Sequence, residues 1–230
     1  MYRNCNVFNS KTKHKYTLIM LHPMFSSSEY FDDCYNYFNS QIDISNIFNS
    51  IKFVLPNAPN INIDYPDNKI YNKPSWYNYY TCYDNIVDID IINKQDYEYQ
   101  TDRILDIVHN EAFLLNGYNN IFIAGVSQGG TLLFNILNKL PCKIGGIFCI
   151  KSIYMYKYTK FDFNIETPIF IFTTIDDDIY NYKLQKISFN KIKNLSYNFK
   201  WRKVKNISHN EYSEEENIFI INNFIHIINK

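Results

Sequence analysis

The pentapeptide Gly125-Val126-Ser127-Gln128-Gly129 constrains this chain more than any other segment, because of what flanks it. Ile121-Phe122-Ile123-Ala124 before it is a short apolar run that reads as a buried strand, and Gly130 to Leu140 after it reads as a helix. Strand, sharp turn and helix in that order make a nucleophile elbow. Glycine flanks the serine because such a turn is strained and packs its backbone against neighbours that leave no room for a side chain. Ser127 then stands at the top of a sheet.

A bare G-x-S-x-G is an ordinary turn in many proteins, and chain order is what gives it meaning. In the α/β-hydrolase arrangement an acid follows the serine after a later strand, and a histidine follows the acid. Pro168-Ile169-Phe170-Ile171-Phe172 is an apolar run that leads through Thr173-Thr174-Ile175 to Asp176-Asp177-Asp178, so carboxylates fall at a strand's C-terminal end. His209 comes after the strand-like stretch Asn198 to Val204 and before the last helix. His14 and His109 precede the elbow and His226 lies within that helix, which leaves His209 as the base. A serine hydroxyl is a poor nucleophile until an imidazole takes its proton, and the imidazole needs a carboxylate to fix its tautomer and stabilise its cation. At this level any of the three aspartates could serve. As a metal site the triplet lacks clustered partner ligands.

At 230 residues the chain fits one domain, 1–230, with a full hydrophobic core. Its 23 basic and 23 acidic side chains cancel without a basic stripe, which gives a nucleic-acid partner no electrostatic support. Cys5, Cys34, Cys82, Cys142 and Cys149 are odd in number and form no C-x-x-C pair, so neither a disulfide framework nor a zinc site is expected. Acylation of Cys5 would need a flanking lipid or polybasic signal that is not there. The segment Met1-Tyr2-Arg3-Asn4-Cys5-Asn6 lacks the apolar core of a signal peptide, and no apolar run approaches the ~18 residues of a membrane span. A cytosolic location is the expectation. The 21 tyrosines and 18 phenylalanines, like the abundant Asn, Lys and Ile, follow from A/T-rich codons and need no aromatic binding surface.

Apolar runs bounded by turn signals predict strands at Tyr16–Leu21, Ile51–Leu55, Ile121–Ala124, Gly146–Ile150, Pro168–Phe172 and Asn198–Val204. Between Asp102 and Leu115, Ile104, Val108, Ala112 and Leu115 recur at helical spacing. Ser213-Glu214-Glu215-Glu216 is a capping box, followed by Ile218, Ile221, Ile225 and Ile228 as the buried stripe of a final helix. Strands alternating with helices predict an α/β fold with a mostly parallel sheet covered on both faces and ligands at the strands' C-terminal ends. The stretch from Asn57 to Asp102 shows little regular pattern, and a loop of that length usually wraps a site.

With these elements placed, the chain resembles the acyl-protein thioesterase, or phospholipase/carboxylesterase, group of α/β-hydrolases over nearly its full length. Leu18-Ile19-Met20-Leu21-His22 is similar to the strand entering the family's His-Gly loop, and Phe53-Val54-Leu55-Pro56-Asn57-Ala58-Pro59 to its P-x-A-P strand end. Lys73-Pro74-Ser75-Trp76-Tyr77 is similar to its Ser-Trp segment, the elbow shares the Gln128-Gly129-Gly130 ending, and Thr167-Pro168-Ile169 leads to the acid loop. Aligned from Thr167-Pro168, the resemblance puts the acid on Asp177. It also implies that the backbone N–H groups of Met24 and Gln128 hold the oxyanion, the residue after the nucleophile filling that role in hydrolases generally. Two positions depart from the pattern: His-Gly is His22-Pro23 here, and the His-Gly before the acid is Thr173-Thr174. Proline has no N–H, but the implied donor belongs to the next residue. His22 is assigned a structural hydrogen bond and Trp76 a packing role.

The resemblance implies a cofactor-free serine hydrolase that cleaves acyl thioesters or carboxylic esters through an acyl-enzyme. Acylated proteins are the implied substrates, with lysophospholipids or small esters as rivals. It would act as a monomer or weak homodimer that touches a membrane surface only transiently. The two departures motivate a different reading, a non-catalytic lipid-binding module on the same fold.

Overall fold

The computed structural model describes residues 4–40, 45–64, 70–80, 89–162, 164–195 and 198–229. Cys82 and the first three residues of the N-terminal segment considered above lie outside them. Seven strands form one sheet in the order β1-β3-β2-β6-β7-β8-β9: β1 (Cys5–Phe8), β2 (Tyr16–Leu21), β3 (Ile51–Pro56), β6 (Ile121–Val126), β7 (Gly146–Ile150), β8 (Ile169–Thr174) and β9 (Phe199–Val204). All neighbours run parallel except β1, which pairs antiparallel with β3 at one edge. This is the expected fold class. The edge strand β1 was not anticipated, its Cys-Asn-Val-Phe being too short and mixed to register as an apolar run.

The central strands owe both covered faces to their sequences. In β6, β7 and β8, isoleucines and phenylalanines alternate, and the pleat sends them to opposite sides. Ile121, Ile123, Ile147, Ile169 and Ile171 face one core, with α3 (Lys94–Leu114), α5 (Leu133–Lys139) and α6 (Tyr182–Asn190) packed over it. Phe122, Phe148, Phe170 and Phe172 face the other, beneath α1 (Asp32–Ser40), the short α2 (Ser45–Phe48) and α7 (Glu214–Ile228). On that side Phe148 stacks with Phe122 at 6.4 Å and with Phe170 at 5.3 Å between ring centroids.

Three expectations need correcting. The buried face of α7 is Phe219, Ile220, Ile221 and Phe224, whereas Ile218, Ile225 and Ile228 are only partly covered. Aromatic rings fit the phenylalanine side of the sheet, so Phe224 packs on Phe122 at 4.5 Å and Phe219 on Phe172 at 5.5 Å. The helix expected from Asp102 begins at Lys94: the Asn93 side chain caps it by accepting from the N–H groups of Gln95 and Asp96. Its first turns are polar apart from Tyr97, whose fully buried hydroxyl donates to the Thr131 carbonyl, a use of tyrosine that apolar spacing does not register. The supposedly patternless stretch also contains an antiparallel pair, β4 (Asn60–Ile63) with β5 (Ile70–Pro74).

At the elbow the helix starts at Gln128 rather than Gly130, as α4 (Gln128–Thr131), and continues into α5 through Leu132, which keeps helical angles. A Cβ on Gly125 would stand 2.6 Å from the Gly129 carbonyl oxygen, and one on Gly129 would stand 2.3 Å from that of Leu21. Both obstacles are backbone with no flexible end to yield. Gly129→Ala is therefore expected to destabilise the protein by about 3 kcal/mol, the upper end of overpacking costs. A fall in the denaturation midpoint at unchanged m-value would register it; an unchanged midpoint would show that β2 can retreat.

Candidate active site

The site is built where β2, β6, β8 and β9 end. Ser127 takes φ +52° and ψ −121°, a conformation rarely occupied by residues other than glycine and costing about 1–3 kcal/mol. Surrounding bonds hold it there. Its N–H donates to the Ile150 carbonyl at 2.9 Å, and its own carbonyl accepts from Gly130 N–H at 2.9 Å and from the Ser152 hydroxyl at 2.7 Å.

Ser127 Oγ lies 2.7 Å from His209 Nε2, and His209 Nδ1 lies 2.9 Å from both carboxylate oxygens of Asp177. All three side chains are buried. Asp177 is fixed in turn: its Oδ1 accepts from the N–H groups of Ile179 and Tyr180 at 3.0 and 2.7 Å, and its Oδ2 from Gln185 Nε2 at 3.2 Å. The other two aspartates have different partners. Asp176 Oδ2 accepts from Asn206 N–H at 2.6 Å and Asp178 Oδ1 from His209 N–H at 3.1 Å, so both bind the loop that carries the histidine. The threonines standing where the family has His-Gly do the same kind of work. Thr174 donates its hydroxyl to the Ile207 carbonyl, and Thr173 accepts from Trp201 Nε1 at 2.9 Å.

His22 lies beneath the site. Its Nδ1 donates to the Pro23 carbonyl at 2.7 Å and its Nε2 accepts from Ala58 N–H at 2.9 Å, which fixes one neutral tautomer. Burial lowers its pKa to about 4, so it stays uncharged at neutral pH. Trp76, fully buried, donates Nε1 to the His22 carbonyl at 2.8 Å. The loop after His22 has its left-handed residue at Phe25, with φ +64°, not at Pro23, and Phe25 N–H is tied to the Pro74 carbonyl at 2.8 Å. The proline is thus accommodated by moving the positive φ two residues along. Among the described residues, no group accepts from the main-chain N–H of Met24 or of Gln128. Both residues line the same cleft as Ser127 and His209.

That cleft, of about 370 Å³, is lined chiefly by apolar groups, including Met24, Phe25, Tyr30, Val126 and Ile179. Sequence reasoning overlooked several contributors. The Gln128 side chain accepts from Trp76 N–H at 2.9 Å and donates to the Tyr77 carbonyl at 2.9 Å, clamping the Ser75–Tyr77 segment onto the elbow. Tyr79 and Tyr180 close one wall, their hydroxyls 3.2 Å apart, and the Tyr180 ring stands edge-on to His209. Only the Gln-Gly-Gly ending hinted at the first; nothing in the spacing marked Gln185 or the tyrosines. Among the described residues no group of His, Cys, Asp and Glu is arranged to hold a metal ion, and no helix is long and apolar enough to cross a membrane. Chemically, the imidazole can draw the proton from Ser127 while the carboxylate stabilises the cation formed.

The sequence model of the phospholipase/carboxylesterase family matches residues 3–229. Acyl-protein thioesterase 1 of Neurospora crassa is 31% identical over 180 residues, covering 72% of this chain and 69% of that protein. The protein of the same name from Gibberella zeae is 26% identical over 176 residues, 72% of each. Among solved structures, SOBER1 of Arabidopsis thaliana superposes with a TM-score of 0.79 at 16% identity, covering 93% of this chain and 99% of that one. Acyl-protein thioesterase 2 of Zea mays does so with a TM-score of 0.71 at 12% identity, covering 96% and 97%. Likeness at those identities speaks to the shared fold.

Proposed function

Since the chain belongs to the phospholipase/carboxylesterase family of α/β-hydrolases and is a serine hydrolase, we propose that Ser127 is its nucleophile, His209 its general base and acid, and Asp177 the carboxylate that orients the imidazole. The observation that carries this reading is the unbroken chain from Ser127 Oγ through both ring nitrogens of His209 to Asp177, opening on an apolar cleft. Ser127 Oγ attacks the acyl carbonyl and gives its proton to His209 Nε2. The N–H groups of Met24 and Gln128 receive the negative charge that develops on the carbonyl oxygen. His209 then protonates the departing thiolate or alkoxide, and water repeats the sequence to free the acid. The reaction calls for no cofactor.

The substrates we propose are S-acylated proteins. The names of the curated relatives and the apolar lining of the cleft support this. One observation favours a second reading, small carboxylic esters or lysophospholipids: about 370 Å³ lies near the lower end of the roughly 300–1,000 Å³ typical of ligand sites. The free thiols Cys5, Cys34, Cys142 and Cys149 fit action in a reducing, cytosolic compartment, and the extent of the family match fits one domain. A hydrolysis panel of acyl thioesters and oxygen esters from acetyl to palmitoyl decides between the substrates. The thioesterase reading expects kcat/KM to rise with chain length on thioesters. A steady decline from acetyl esters onward would instead assign the small-ester role, and fatty-acid binding with no turnover would assign neither.

A further inference from the structure

β7 is entirely apolar, yet the two residues that follow it, Lys151 and Ser152, are polar and fully buried. Lys151 takes φ +43°, a backbone conformation lysine rarely adopts. Its Nζ lies 2.7 Å from Glu216 Oε1, in the first turn of α7, and donates at 2.7 Å to the main-chain carbonyl of Glu211, two residues beyond His209. Ser152 donates to the Ser127 carbonyl at 2.7 Å, and the elbow closes on it so tightly that a Cβ on Gly130 would stand 2.7 Å from its hydroxyl. One dipeptide thus grips the backbone of the nucleophile with one side chain and the backbone of the histidine loop with the other.

We propose that Lys151 is a positioning residue for hydrolysis. With Glu216 as its counter-ion and Ser152 beside it, it forms a buried strut that sets His209 against Ser127. The proposal rests on the assignment of Ser127 and His209 given above. A buried ammonium without a counter-ion would also raise the local potential, and Glu216 lies near enough to His209 for the two to interact. The charged groups facing His209 are Asp177 at Nδ1, Asp178 at its main-chain N–H, Glu211 on its own loop through Ser208 N–H, and the Lys151–Glu216 pair. Glu216 in turn faces the Tyr30 and Tyr212 hydroxyls and the Cys34 thiol, all neutral at physiological pH. It also accepts the N–H of Ser213, the capping bond that glutamine can replace.

The test measures kcat, KM and the pH profile of kcat/KM on a short-chain ester, with fluorophosphonate labelling alongside. Lys151→Met is expected to lower kcat by about 10–10²-fold with KM nearly unchanged, as displacement of a catalytic group does. Glu216→Gln keeps the helix cap but leaves the ammonium uncompensated, so the acid limb moves to lower pH by about half a unit, because a nearby cation disfavours imidazolium. The double variant K151M/E216Q buries no lone charge and carries the test if Lys151→Met does not fold. Its acid limb is expected at the wild-type position and its kcat still depressed, since the grip on Glu211 is gone. Wild-type kcat in the double variant, or an unmoved limb in Glu216→Gln, would overturn the strut. Persistent labelling of Ser127→Ala would instead remove the nucleophile assignment beneath it.

Discussion

Ser127→Ala is expected to lose hydrolysis by about 10⁶-fold in kcat, the scale on which removal of an activated serine acts in hydrolases of this type. The substitution deletes the one hydroxyl within reach of His209 Nε2 and leaves every backbone bond of the elbow in place, because Ile150, Gly130 and Ser152 all bind main-chain atoms of residue 127. Alanine meets the same strain at φ +52° as serine, so stability should change little. Labelling by a fluorophosphonate should vanish while the melting temperature holds. A variant that still labels would show that another nucleophile is at work.

The second large effect belongs to Asp177→Asn, for which a loss of about 10⁴-fold in kcat is expected. Asparagine is isosteric and its carbonyl can still accept from Ile179 and Tyr180, so the acid loop keeps its shape. Its amide would then present hydrogens to His209 Nδ1, which must turn acceptor. The ring proton moves to Nε2, where it blocks removal of the Ser127 proton. Asp176→Asn and Asp178→Asn retain the oxygen that accepts from Asn206 or His209 main-chain N–H, and should cost less than about tenfold. Parallel rate measurements on the three variants give the comparison. If Asp178→Asn matched Asp177→Asn, the acid would have been assigned to the wrong member of the triplet.

The fold was largely legible because its signals are local. Five of the six strands expected from apolar runs and turn residues are the parallel strands around the elbow, and β9 completes them within one residue of its expected start. The candidate site was legible as residue types in an order, Ser127 before the aspartates before His209. Its supports were not. Gln128, Gln185, Tyr180 and Lys151 reach the site through long-range hydrogen bonds and ion pairs, and such pairings leave no period in a sequence. Position within the triplet was likewise invisible to spacing, since three consecutive aspartates differ only in where the turn aims them. The α7 stripe was misread for a related reason: counting isoleucines gave the helix a face, but the shape of the opposing sheet selected the phenylalanines.

That sheet also bears on how the chain avoids misfolding. Where one face of a sheet is wet, a strand displaced by a single residue is penalised at once, because its oily side chains meet water. Here both faces of β6, β7 and β8 are dry, so the same slip would trade isoleucines for phenylalanines and expose nothing polar. Only bulk distinguishes right from wrong: rings would crowd the isoleucine layer beneath α3 and α5, and voids would open under α7. Correct alignment of the strands that carry the elbow and the acid loop is therefore enforced by the sizes of side chains, with hydrophobicity giving no direction.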